Sequence, residues 1–137
     1  MTDTLNHHEA LIWVMVTMSA VDSHMTDAEL GRIGAIVRDL PAFEHFDADK
    51  LVSVAQACGE VLSRNDGLHD ALAMIAAALP ARLRETAYAL AVEVAAADLD
   101  VKQEELRLLA MLRDHLELDK LTTAAIERGA RARYQTA

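Results

Sequence analysis

Two carboxylate pairs recur in this chain at the same separation: Asp22 with Glu29, and Asp98 with Glu105. In "VMVTMSAVDSHMTDAELGRIGAIV" an apolar run ends at Asp22, a short turn follows, and Glu29 stands near the start of a new apolar pattern. "VEVAAADLDVKQEELRLLAML" repeats the plan 76 residues later. Carboxylate oxygens are hard ligands suited to Ca²⁺ or Mg²⁺. The second cluster is the richer, with Asp98, Asp100, Glu104 and Glu105; the first holds Asp22, Asp27 and Glu29. These acids are the candidate ligands of a divalent cation. An EF-hand is excluded, because the loop is too short and its glycine and terminal glutamate spacing are absent.

The same acids have a structural use. "TDAE" at 26–29 has the pattern of a capping box, in which Thr26 caps a helix and Glu29 reaches back to its backbone N–H. Asp22 could accept N–H bonds from the turn. Lys102 stands where Thr26 stands, so capping explains the second copy less well. An Asp at a helix C-terminus meets the negative end of the dipole and needs compensation. Glu29 shares a helical face with Ile33, Ile36 and Leu40, as Glu105 does with Leu109, Leu112 and Leu116. A carboxylate heading an inward stripe needs a partner. Cation and cap both remain open.

The elements that carry these acids are helical. Hydrophobic residues make up 53% and aromatics 4%, with five Gly and two Pro, which favours helices packed on helices over many short strands. Residues 5–21 read as a first helix, apolar almost all round from Ala10 to Val21 and hence central. A second spans Thr26 to about Leu40, with Leu30, Ile33, Ile36, Val37 and Leu40 at helical spacing. Pro41 turns "DLPAFEHF" into a loop. A third helix runs from Asp47 or Asp49 to about Ser63, broken by "RNDG". "LHDALAMIAAAL" is a fourth, ending before Pro80, and residues 81–97 a fifth. The sixth covers 102–115 with Leu106, Leu109, Met111 and Leu112 inward, and the seventh 120–134.

The shift of 76 residues also pairs Ala20 with Ala96, Leu30 with Leu106, Ile33 with Leu109 and Ile36 with Leu112. The expected fold is therefore all-α: one domain over 1–137, a compact bundle of about seven helices. It is built from two pseudo-symmetric helical hairpins, at about 5–40 and 81–116. The two apolar helices lie at its centre, where Ala20, Ala96 and Ala97 permit close approach.

The chain resembles the TerB family of tellurite-resistance proteins. "MSAVDSHMTDAEL" carries the more specific likeness and "AAADLDVKQEEL" the more generic one, and the resemblance spans nearly the whole chain. It implies a compact helical protein of bacterial stress and tellurite-resistance systems. It further implies metal ligation by Asp22 with Glu29 and by Asp98 with Glu105, and membrane-associated protein partners. Relatives often place Gly directly after the Asp; here Ser23 and Leu99 follow. A turn needing positive φ would strain Leu99.

Charge and motifs narrow the function. A formal net charge of −9 repels a phosphate backbone and attracts cations or a basic protein surface, so nucleic acid is not an expected partner. The solitary Cys58 fits a packed thiol in a reducing compartment. Apolar stretches of about a dozen residues fall short of the ~20 that span a bilayer, and the polar start lacks a secretory pattern; a soluble, cytoplasmic chain is expected. No glycine-rich phosphate loop, G-x-S-x-G or H-E-x-x-H occurs. Asp66-x-x-His69 is the sole hint of a di-iron motif and reads as a solvated helix start, and His7-His8 as a polar terminus. Glu93, inside the apolar fifth helix, is expected to be packed or hydrogen-bonded. The basic "ERGARARY" complements a helix end or docks on an acidic neighbour. Two functions follow: a non-enzymatic accessory protein whose cation tunes a partner surface, or a metal-free interaction module. Self-association is compatible with either.

Overall fold

The segment "HHEALIWVMVTMSA" has no polar face, so as a helix it must be covered on every side. It forms α1 (His7–Ala20), in which every residue from Ala10 to Ser19 is buried. Around it pack α5 (Ala81–Ala97), α3 (Leu51–Leu62), α4 (Gly67–Ala78) and α2 (Asp27–Asp39). α6 (Gln103–Leu116) lies against α5 and α4, and α7 (Lys120–Arg133) against α5. The computed structural model describes residues 4–20, 25–97 and 103–137; among them there are seven α-helices and no strand. None of these helices is long and apolar enough to cross a membrane.

Both expected central helices are central: Trp13 on α1 and Leu90 on α5 are buried, and α1 packs directly on α5. Ala20 and Ala96 are half-buried. α2 begins at Asp27 and α6 at Gln103, 76 residues on, while α1 ends at Ala20 and α5 at Ala97, 77 residues on. Burial differs between α2 and α6. Ile36 and Leu40 are half-buried, whereas Leu112 and Leu116 are buried.

Local chemistry sets the ends. α2 opens on the Thr26 cap, and α7 on Asp119, whose carboxylate accepts the Thr122 amide at 2.8 Å. That amide holds the Asp119 carboxyl below its ordinary range. "PAF", expected as loop, closes into a 3₁₀ turn (Pro41–Phe43) that buries Phe43. Proline suits the first position of such a turn, where its missing N–H has no partner to lose. The third helix starts later than expected, at Leu51. A separate 3₁₀ turn (Ala48–Lys50) precedes it, capped by Asp47 on the Asp49 amide at 3.0 Å.

One inward assignment is reversed. Leu106 is 51% exposed, and Leu108, at 2%, takes the core position. The buried set of α6 is Glu105, Leu108, Leu109, Leu112 and Leu116, a single i, i+3, i+4 stripe. Leu106 lies about 100° round the helix from Glu105, on the flank of that stripe.

Gly67 opens α4 where it meets the end of α3. A Cβ there would stand 2.2 Å from the Val61 carbonyl oxygen and 2.7 Å from that of Leu62. Only a residue without a side chain permits this approach.

Candidate functional site

The first turn of α2 is built as the sequence predicts. The Thr26 hydroxyl accepts the Glu29 amide at 3.1 Å, and Glu29 Oε1 accepts the Thr26 amide at 3.0 Å. Two amides that a helix start leaves without partners are thereby satisfied. Glu29 is half-buried at the head of its stripe, and Asp27 beside it is exposed. One Glu29 oxygen is therefore committed to the helix itself. A second capping box opens α1: Asn6 accepts the Glu9 amide at 2.8 Å, and Glu9 accepts the Asn6 amide at 2.9 Å. "NHHE" carried that signal in the same spacing as "TDAE".

The first turn of α6 presents two glutamates in opposite senses. Glu104 is exposed; Glu105 is buried, at 5% exposure, and leads the core stripe. Asp22, Asp98 and Asp100 lie outside the described residues, as do Ser23, Leu99 and Lys102. Among the described residues no group of three or more His, Cys, Asp or Glu side chains is placed to hold a metal ion. Asp27, Glu29, Glu104 and Glu105 thus occupy first helical turns, with Glu29 drawn to Thr26. The donors remain carboxylate oxygens throughout, the chemistry a hard divalent cation takes.

The polar contacts between α5, α6 and α7 were not foreseen in detail. Glu93 accepts from the Tyr134 hydroxyl at 2.7 Å and from Arg133 at 2.9 Å, so "ERGARARY" docks on an acidic neighbour. This hydrogen bond to Glu93, helped by burial, raises the Tyr134 phenol above its ordinary value. Glu127 on α7 accepts from the buried Tyr88 hydroxyl and from Arg113 of α6. Burial, then the Glu127 contact, pushes the Tyr88 phenol upward as well. Two clasps therefore tie α7 to α5. The glutamates and arginines were visible in the sequence, but no local spacing joins residues 40 positions apart.

Two grooves flank α7. One, of about 400 Å³, has Val92, Ala96, Leu106 and Leu109 on its apolar wall and Arg113 and Arg131 on its polar side. The other, of about 530 Å³, runs between α2, α5 and α7 past Ile36, Leu40, Leu90 and Ile126. Both fall in the size range of small-ligand clefts.

Cys58 is fully buried, with Thr17 Oγ1 3.6 Å from its sulfur. Burial pushes its thiol up to about 11. A thiol held protonated is a poor nucleophile, so Cys58 packs and does not react. His8 stacks on Phe43 and meets Phe46 edge-on, and burial lowers its pKa.

The sequence profile of the family described as Tellurite resistance protein TerB matches residues 8–128, most of the chain. No curated protein and no solved structure matches it.

Proposed function

This chain belongs to the TerB family of tellurite-resistance proteins, and we propose that it works as a non-enzymatic accessory protein of a bacterial stress response. In this reading it takes a divalent cation, Ca²⁺ or Mg²⁺, through its paired turn carboxylates and engages a membrane-associated protein partner from the cytoplasm. The observation that carries the reading is Glu105. It is a carboxylate at 5% exposure in the first turn of α6, with Asp98, Asp100 and Glu104 close by in sequence. Four carboxylates within eight residues of sequence give the all-oxygen donor set that a hard divalent cation takes. Glu105 would offer an oxygen from the core side and Glu104 one from solvent. On the first copy Glu29 has one oxygen left to give, since its other serves Thr26.

Calorimetric titration with Ca²⁺ and Mg²⁺, alongside Mn²⁺ and Zn²⁺, tests this. The wild type should bind Ca²⁺ or Mg²⁺ and melt several degrees higher when saturated. Asp98→Asn with Glu105→Gln should remove most of that response, and Glu60→Gln with Asp70→Asn should leave it. Equal responses from the two double variants would mean general screening of a charge of −9.

A metal-free interaction module is the second reading. It is favoured by the Thr26–Glu29 box, which gives Glu29 a complete structural reason, and by Leu106, half exposed beside the groove under α7. Absence of any response to Ca²⁺ and Mg²⁺ at millimolar concentration would leave this reading in place.

A further inference from the structure

The two ends of the α4–α6 contact bring together a pair of imidazoles that neither acidic turn involves. The ring centroids of His69, in the first turn of α4, and His115, in the last turn of α6, are 5.2 Å apart with planes at 72°. We propose that these two side chains form a surface site for one transition-metal ion of the Zn²⁺ or Cu²⁺ type, bridging α4 to α6.

Three observations point to it. First, the spacing fits. Two imidazole nitrogens about 2.0–2.1 Å from one ion, at a tetrahedral angle, place their ring centroids about 5 Å apart. The rings stand near that separation already, so the side chains need only adjust. Second, His115 Nδ1 lies 3.0 Å from the Met111 carbonyl oxygen, one turn back on its own helix. A carbonyl only accepts, so Nδ1 carries the proton and Nε2 keeps its lone pair. This is the support that metal-binding histidines generally receive, because it fixes both tautomer and ring orientation. Third, the site is open and its helices are held. His69 is exposed, His115 is half-buried, and no hydrogen bond to another described residue ties the His69 ring. Arg84 meanwhile binds the Ala76 carbonyl on α4 and the Leu116 carbonyl on α6, so the two helices are fixed before an ion arrives.

The ligand class follows from the donors. Imidazole suits Zn²⁺ and Cu²⁺ and is a poor ligand for Ca²⁺ or Mg²⁺. No third His, Cys, Asp or Glu completes the set among the described residues, so water fills the other positions. The other imidazole pair, His7 with His8, lacks these features. Its rings are 4.1 Å apart, and His8 is packed among Phe43 and Phe46.

The test is a Zn²⁺ titration of the full chain followed by imidazole NMR and by thermal melting. The His69 and His115 resonances should shift together and saturate at one ion, ahead of those of His7 and His45. The melting temperature should rise by several degrees and fall back with a chelator. His69→Ala, on an exposed position, should weaken binding by at least the ~10–100-fold that losing a mere supporting contact costs at metal sites. His115→Gln should do the same with the fold intact. Asp98→Asn with Glu105→Gln should bind Zn²⁺ as the wild type does, so this site and the acidic turns stand or fall separately. Wild-type Zn²⁺ affinity in His69→Ala, or saturation at His7 and His8 first, overturns the proposal.

Discussion

The Arg84 guanidinium donates from α5 to the Leu116 carbonyl at 3.0 Å, and its second terminal nitrogen donates to the Ala76 carbonyl at 3.1 Å. One side chain therefore satisfies carbonyls near the C-terminal ends of two helices, α6 and α4, and sets a positive charge at the negative end of both dipoles. Removing it leaves part-buried carbonyls without that donor. Arg84→Ala should destabilise by about 1–3 kcal/mol. Arg84→Lys should recover only part of this, since one ammonium cannot reproduce the planar fork. Urea denaturation measures both, and a midpoint unchanged in Arg84→Ala would show the contact to be idle.

The box at α2 makes a graded series. Thr26→Ala should lower stability by ~0.5–2 kcal/mol. Glu29→Gln should cost much less than Glu29→Ala, because an amide oxygen still accepts the Thr26 N–H. In metal-free buffer this order isolates the cap from any cation. An equal loss for Gln and Ala at 29 would mean that charge, not the hydrogen bond, holds the turn.

Gly67 is fixed by contact with backbone, which cannot step aside as a flexible side chain can. Gly67→Ala should destabilise by about 1–3 kcal/mol through overpacking, despite the better helix propensity of alanine. Gly31→Ala is the control: a Cβ there meets nothing within 4 Å. It should stabilise slightly, by up to about 1 kcal/mol. Thermal melts of the two variants should therefore move in opposite directions.

Cys58 predicts an alkaline response of known sign. Its thiol is raised from 9.0 to about 11 by burial. The native state keeps its proton where the unfolded state has lost it. This contribution is complete below about pH 9 and is lost as pH rises toward about 11. Cys58→Ala should show a shallower fall in stability across that window. Tyr88 acts in the same direction above about pH 10, so Tyr88→Phe should flatten the region beyond. The native thiol should also resist a disulfide reagent until denaturant is added. Rapid labelling of the folded protein would contradict its burial.

Much of the architecture was legible in the linear chain. The apolar segment 10–21 has no polar side, so it had to be central. Pro41 and Pro80 had to interrupt helices, and "TDAE" had to open one, because these are properties of a few adjacent backbone groups. Glu105 follows the same logic: its spacing to Leu109, Leu112 and Leu116 puts it on the buried stripe whatever packs there. Tertiary structure decided what periodicity leaves degenerate. α6 carries apolar residues at 106, 108 and 109, and only the positions of α5 and α4 determine that Leu108 goes inward while Leu106 borders a groove. The same holds for every partner distant in sequence. Arg84 with Leu116, Glu93 with Tyr134 and His69 with His115 are joined by helices packing side by side, and no local rule reads that adjacency from spacing. Helix formation is governed within a turn or two of chain, so sequence determines it closely. Which faces meet is a choice among competing packings of similar apolar surfaces, made only when the whole core closes.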